Sequence, residues 1–89
     1  SAPKSKWLLI GGVIIKLTDL PVKKTGIIIA IAAKGQKRRR LFDLGFIPGS
    51  QVRCIRHSPA GNPIAFLIRN TTIALRKEES DCIIVRKYD

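Results

Sequence analysis

Short apolar runs separated by turn-forming residues dominate the chain. Val13 to Leu17 holds three β-branched residues in succession and predicts a strand, after which Leu20-Pro21 and Lys23-Lys24 read as a turn. Gly26 opens Ile27-Ile28-Ile29-Ala30-Ile31, a run too short and too branched for an ordinary helix, which predicts a strand buried on most of both faces. Gln51 to His57 and Ile64 to Arg69, joined through Ser58-Pro59-Ala60-Gly61-Asn62-Pro63, predict a hairpin. Alternation places Val52 and Cys54 on the core face of its first strand and Ile64, Phe66 and Ile68 on that of its second. Ile55 and Leu67 should then point outward, and His57 should lie on the side opposite Cys54. Asn70-Thr71 makes a tight connection into Thr72 to Leu75. Lys77 to Asp81 predicts about one helical turn, and Ile83-Ile84-Val85 a last strand.

Gly35 to Leu44 is the one convincing helix. Leu41 and Leu44 share an apolar face, while Lys37, Arg38, Arg39 and Arg40 fill most of the first turns. Gly45 stands where a left-handed cap is needed, with Phe46 placed to pack back on Leu41. Pro48 forbids continuation, and Pro48-Gly49 suits the centre of a type II turn. Five to six short strands around one core, with one short helix and a further helical turn, describe a mainly β fold, a small closed or half-closed barrel.

Eighty-nine residues support one hydrophobic core, so a single domain and no multidomain enzyme is expected of this stretch. Residues 1–12 are expected to form a partly disordered extension and residues 13–89 the barrel. The apolar run Trp7 to Ile15 is broken by Gly11-Gly12 and is far shorter than the roughly 20 residues of a membrane helix. Lys16 follows it without a cleavage pattern, which argues against a signal peptide. The net charge is +11, and its placement is uneven: no acid lies between Leu20 and Phe42 or between Leu44 and Lys77, while Glu78, Glu79, Asp81 and Asp89 gather near the C-terminus. Such a field suits RNA, DNA, anionic lipid or an acidic protein without choosing among them.

The chemistry-bearing residues are few. Cys54 and Cys82 are too few for a disulfide framework and form no C-x-x-C pair, which favours a reducing cytoplasm. With His57 they complete the soft metal ligands, so neither a metal site within one chain nor a cofactor is expected. One histidine, no phosphate loop and clustered acids leave no catalytic pair. Single-strand nucleic-acid binding draws on aromatic platforms, whereas Phe42, Phe46 and Phe66 are assigned to the core, leaving Trp7 and Tyr88. Lys34, Lys37, Arg38, Arg39 and Arg40 form a candidate docking surface for an acidic partner. Successive arginines point about 100° apart, so at least one should lie near the barrel. Ile55 and Leu67 are the candidate apolar anchors.

The stretch Arg38-Arg39-Arg40-Leu41-Phe42-Asp43-Leu44-Gly45-Phe46-Ile47-Pro48-Gly49, followed by Val52, closely resembles the signature of the FeoA family, small cytosolic accessory proteins of bacterial ferrous iron uptake. Leu17 to Val22 is similar to the family's opening, and Gly61-Asn62-Pro63-Ile64 to its Gly-Asp-Pro-hydrophobic turn. Ile73 to Ser80 is similar to its closing Leu-Ala-Leu-Arg-x-x-Glu-Ala. Asn62 replaces the usual Asp, Asn70 a common Gly, and Ser80 an Ala. The resemblance implies an SH3-like barrel without catalytic groups. It also implies an adaptor docked on the FeoB transporter or its G-protein domain at the inner face of the bacterial membrane, with a homo-oligomer open and no specific nucleic acid. FeoA-like domains also end metal-dependent repressors, whose DNA-binding domains this chain has no room for, and a nucleic-acid-binding barrel or an iron-responsive regulatory module is the alternative.

Overall fold

The computed structural model describes residues 12–87. The expected extension, with its Trp7 to Ile10 run, therefore lies outside the described residues up to Gly11, as do Tyr88 and Asp89. Six strands, β1 (Val13–Lys16), β2 (Thr25–Ile31), β3 (Gln51–His57), β4 (Ile64–Ile68), β5 (Thr71–Leu75) and β6 (Ile83–Lys87), form one sheet. Its order is β1-β6-β2-β3-β4-β5, and every pairing is antiparallel. Helix α1 (Gly35–Asp43) joins β2 to β3, the short α2 (Lys77–Ser80) joins β5 to β6, and a 3-10 turn at Leu17–Asp19 follows β1. This is the mainly β architecture that the alternating runs predict.

One face of the sheet supplies Ile28, Val52, Cys54, Ile64, Phe66, Ile68, Leu75, Ile83 and Val85 to the core, and the connections add Leu17, Leu20, Leu41 and Phe46. Each such large side chain contributes about 1.5–3 kcal/mol by leaving water. Phe46 meets Phe66 edge to face, with ring centroids 6.5 Å apart, the arrangement favoured by aromatic quadrupoles.

The end of α1 follows its sequence closely. The Phe46 amide donates to the Leu41 carbonyl and the Gly45 amide to the Phe42 carbonyl, both at 2.9 Å, the pair of bonds that defines a Schellman motif. Gly45 takes φ +106, which a side chain resists. Pro48-Gly49 forms the expected turn: the Ser50 amide donates to the Ile47 carbonyl at 3.0 Å, and Gly49 has φ +94.

Four expectations are corrected. The strand run Ile27 to Ile31 is not buried on both faces: the register slips between Ile28 and Ala30, and the bulge leaves both Ile29 and Ala30 exposed. A second bulge, between Cys54 and Arg56, restores His57 to the register of Ile64. His57 is therefore exposed because it ends β3, not because it alternates away from Cys54. Phe42 lies outside the core, half-buried with the Arg38 guanidinium 4.7 Å from its ring centroid, because it sits about 100° around the helix from Leu41. The tight turn after β4 uses Arg69 and Asn70, with φ +51 and +65, and β5 begins at Thr71. Two successive positive φ angles match the twist of a two-residue hairpin, and Asn70 tolerates the left-handed region expected of it.

Candidate functional site

All four basic side chains of α1, Lys37 to Arg40, are exposed, so none of the arginines turns into the barrel. Their engagements differ. Arg40 forms an ion pair with Glu79 of α2. Lys37 Nζ donates to the Glu78 carbonyl at 3.2 Å. These two tie α1 to α2, Arg40 pairing with one acid of the cluster, whereas Arg38 lies over Phe42 and Arg39 projects outward. The arrangement leaves Arg38 and Arg39 as the basic residues of this helix that are not engaged with α2.

Leu67 belongs to a second feature. It pairs across the sheet with Arg53 and Thr72 on the outer face and stands half-buried in a groove of about 410 Å³ with Thr25, Gln51, Arg53, Arg69 and Asn70. An apolar floor between two guanidiniums suits a segment carrying an aliphatic anchor beside a carboxylate. Arg69 is aimed there by the tight turn it occupies, and its stem runs against Gly45, so the groove abuts the C-terminal end of α1. Arg53 and Arg69 escaped the sequence reading because they lie in separate strands and turns; only the β3-β4 register brings them together. Ile55, half-buried at the bulge, lies on the same strand as Arg53 but outside this groove.

The acidic segment is structural. Ser80 is fully buried, its Oγ 2.6 Å from Thr18 Oγ1, which in turn donates to Asp81 Oδ1 at 2.6 Å. This chain of hydroxyls clamps α2 onto the 3-10 turn. Asn62 Oδ1 accepts the Lys77 amide at 2.9 Å, and Glu79 Oε1 accepts the Arg76 amide at 3.0 Å, satisfying donors at the start of α2 that the helix itself leaves open. An Asp at position 62 would accept the same bond.

Cys54 is buried in the core, and desolvation raises its thiol pKa above the ordinary value. Cys82 is half-buried, its Sγ 3.4 Å from the Glu78 carbonyl. Among the described residues no three His, Cys, Asp or Glu side chains converge in a way that could hold a metal ion, and no helix there is long and apolar enough to cross a membrane.

Residues 15–87 match the model of the FeoA domain. Over 66 residues the chain is 23% identical to an Fe(2+) transport protein A/Fe(2+) transporter FeoB fusion protein of Porphyromonas gingivalis; the match covers 74% of this chain and 8% of that polypeptide. The solution structure of iron(II) transport protein A from Clostridium thermocellum superposes with a TM-score of 0.80 at 33% identity, covering 82% of this chain and 45% of that one. FeoA of Stenotrophomonas maltophilia, described as an SH3 domain protein in complex with zinc, superposes with a TM-score of 0.71 at 29% identity, covering 80% and 88% respectively. The sheet described above is accordingly of the SH3-like kind, and the landmarks from Leu17 to Ser80 fall within the matched span. With nearly its whole described length accounted for by one domain model, the chain belongs to the FeoA domain family.

Proposed function

We propose that the chain is a non-enzymatic accessory protein of ferrous iron uptake. It works in the cytoplasm at the inner face of the membrane, where it docks on the FeoB transporter or its G-protein domain and modulates transport. The observation that carries this reading is the fusion relative, in which a segment resembling this chain shares one polypeptide with an Fe(2+) transporter. Covalent linkage holds two modules at high effective concentration, which is useful where they act together. The Stenotrophomonas relative, described in terms of ferrous iron transport activation, points the same way.

The docking surface in this proposal has two parts. The groove of Arg53, Leu67 and Arg69, extended by Ile55, anchors an acidic and aliphatic segment of the transporter. Arg38 and Arg39 accelerate encounter through their field, while Lys37 and Arg40 hold α2 in place beneath them. The test is uptake of radiolabelled ferrous iron by cells expressing the transporter with and without this chain. Uptake should fall when the chain is removed and return with the wild-type sequence; uptake that is equal in both strains overturns the accessory role.

A further inference from the structure

The strands share a feature that the transporter docking surface does not use. None of the six contains an acid. The acids of the described residues lie on the 3-10 turn (Asp19), at the end of α1 (Asp43) and at α2 and its cap (Glu78, Glu79, Asp81). On the outer face of β1, β6 and β2 the register sets Ile14 beside Arg86 and Arg86 beside Ile27, and in the next row Lys16 beside Ile84 and Ile84 beside Ala30. The β2 bulge adds Ile29. Ile14 is 56% exposed and Ile29 37%. Directly opposed residues on neighbouring strands lie about 5 Å apart, so these side chains form one patch in which isoleucines alternate with cations. Arg86 stands at its centre, with Nε buried and without a hydrogen-bond partner among the described residues.

We propose that this face rests directly on an anionic lipid surface, independently of any contact with the transporter. Aliphatic side chains interleaved with Lys and Arg are the composition that enters the headgroup boundary of charged bilayers, through apolar burial together with attraction to the lipid phosphates. A nucleic acid would instead draw on stacking platforms. The aromatic rings of the described residues are the buried Phe46 and Phe66 and the Arg38-covered Phe42, none of them on this patch. The net charge of +11 draws the whole molecule toward such a surface.

The experiment is co-sedimentation of the full chain with vesicles of phosphatidylglycerol and phosphatidylcholine, against phosphatidylcholine alone, in 0.1 M salt. Transporter is absent, so failure here leaves the accessory role untouched, and failure of that role leaves this result untouched. The chain should sediment with the anionic vesicles and remain in solution with the neutral ones. Each basic residue near the surface is worth about fivefold in partitioning, so Lys16→Gln with Arg86→Gln should lower it about 25-fold. Ile14→Ser with Ile29→Ser should lower it about tenfold or more. Both variants should keep the wild-type circular dichroism spectrum, and a variant that loses it is replaced by the single substitutions Lys16→Gln and Ile14→Ser. The groove variant Arg53→Gln/Arg69→Gln should bind vesicles within a factor of about two of wild type. The proposal is overturned by absence of sedimentation with anionic vesicles, or by binding that the Ile14/Ile29 variant retains in full. It is equally overturned if a polyuridylate competitor of equal charge removes binding whether or not the isoleucines are present.

Discussion

Replacing Gly45 by Ala or Val tests how α1 is joined to the barrel. At φ +106 the backbone lies well beyond the left-handed well near +57 that non-glycine residues reach. A Cβ at this position would stand 2.9 Å from Arg69 Cδ, 3.5 Å from Arg69 Cγ and 3.7 Å from Ile68 Cγ1. The closest neighbour is part of a long side chain that can shift, so the backbone contributes most for Ala, about 1–3 kcal/mol. Val adds a second branch against Ile68, and overpacking of about 1–3 kcal/mol raises its total to about 2–6 kcal/mol. Against a total stability of about 5–13 kcal/mol for a chain of this length, the Val variant approaches the limit of folding. Urea and thermal unfolding followed by circular dichroism measure the effect, and Gly45→Ala should lower Tm by about 4–8 °C for each kcal/mol lost. The contact with Arg69 is separable from the backbone term. Arg69 itself sits at φ +51, so Arg69→Gly relieves its own strain, and in the Gly45→Ala background it should recover an additional 0.5 kcal/mol or so as a coupling between the two positions. A Gly45→Ala variant within about 0.5 kcal/mol of wild type refutes the cap argument, and strictly additive costs refute the contact.

Three further outcomes follow from particular groups. Thr18→Val removes the bond to Asp81 and leaves the buried Ser80 hydroxyl with only the Lys77 carbonyl at 3.2 Å, so stability in urea should fall by about 1–3 kcal/mol; an unchanged midpoint would show that the hydroxyl chain contributes nothing. Burial raises the Cys54 thiol pKa, so the folded chain keeps a proton that the unfolded chain releases. That contribution is complete below the ordinary thiol pKa and is lost as pH rises through the raised one. Stability should therefore decline on the alkaline side less steeply in Cys54→Val than in wild type, and in the native protein a disulfide reagent should modify Cys82 long before Cys54. With no converging metal ligands among the described residues, excess EDTA should leave Tm unchanged, and a drop of several degrees would reveal a structural site.

Local signals carried much of the fold. Gly45, Phe46, Pro48 and Gly49 act through bonds between near neighbours, so their geometry was legible in order along the chain. Alternation likewise identified Val52, Cys54, Phe66 and Ile68 as core. A bulge defeats both readings, the burial of the Ile27–Ile31 run on most of both faces and the strand parity beyond Ile55, because an inserted residue changes which side faces inward without any marker in composition. Aromaticity alone does not place Phe42, because the helix turns it away from the core and beside Arg38. The basic residues of α1 were found as a run, but their division into Arg40 and Lys37, which hold α2, and Arg38 and Arg39, which do not, depends on contacts some 40 residues away in sequence. The groove of Arg53, Leu67 and Arg69 was half visible, since Leu67 was singled out and the flanking arginines were not.

The central claim is tested most directly by measuring equilibrium binding of the purified chain to detergent-solubilised FeoB by isothermal titration calorimetry. Wild type should bind. Ile55→Ser with Leu67→Ser, folded by circular dichroism, should weaken binding about tenfold or more through loss of the apolar anchors, and charge reversal of Arg38 and Arg39 should weaken binding and make it less dependent on salt than that of the wild type. No heat of binding for the wild-type chain, or a double serine variant that binds as tightly as wild type, would contradict the account.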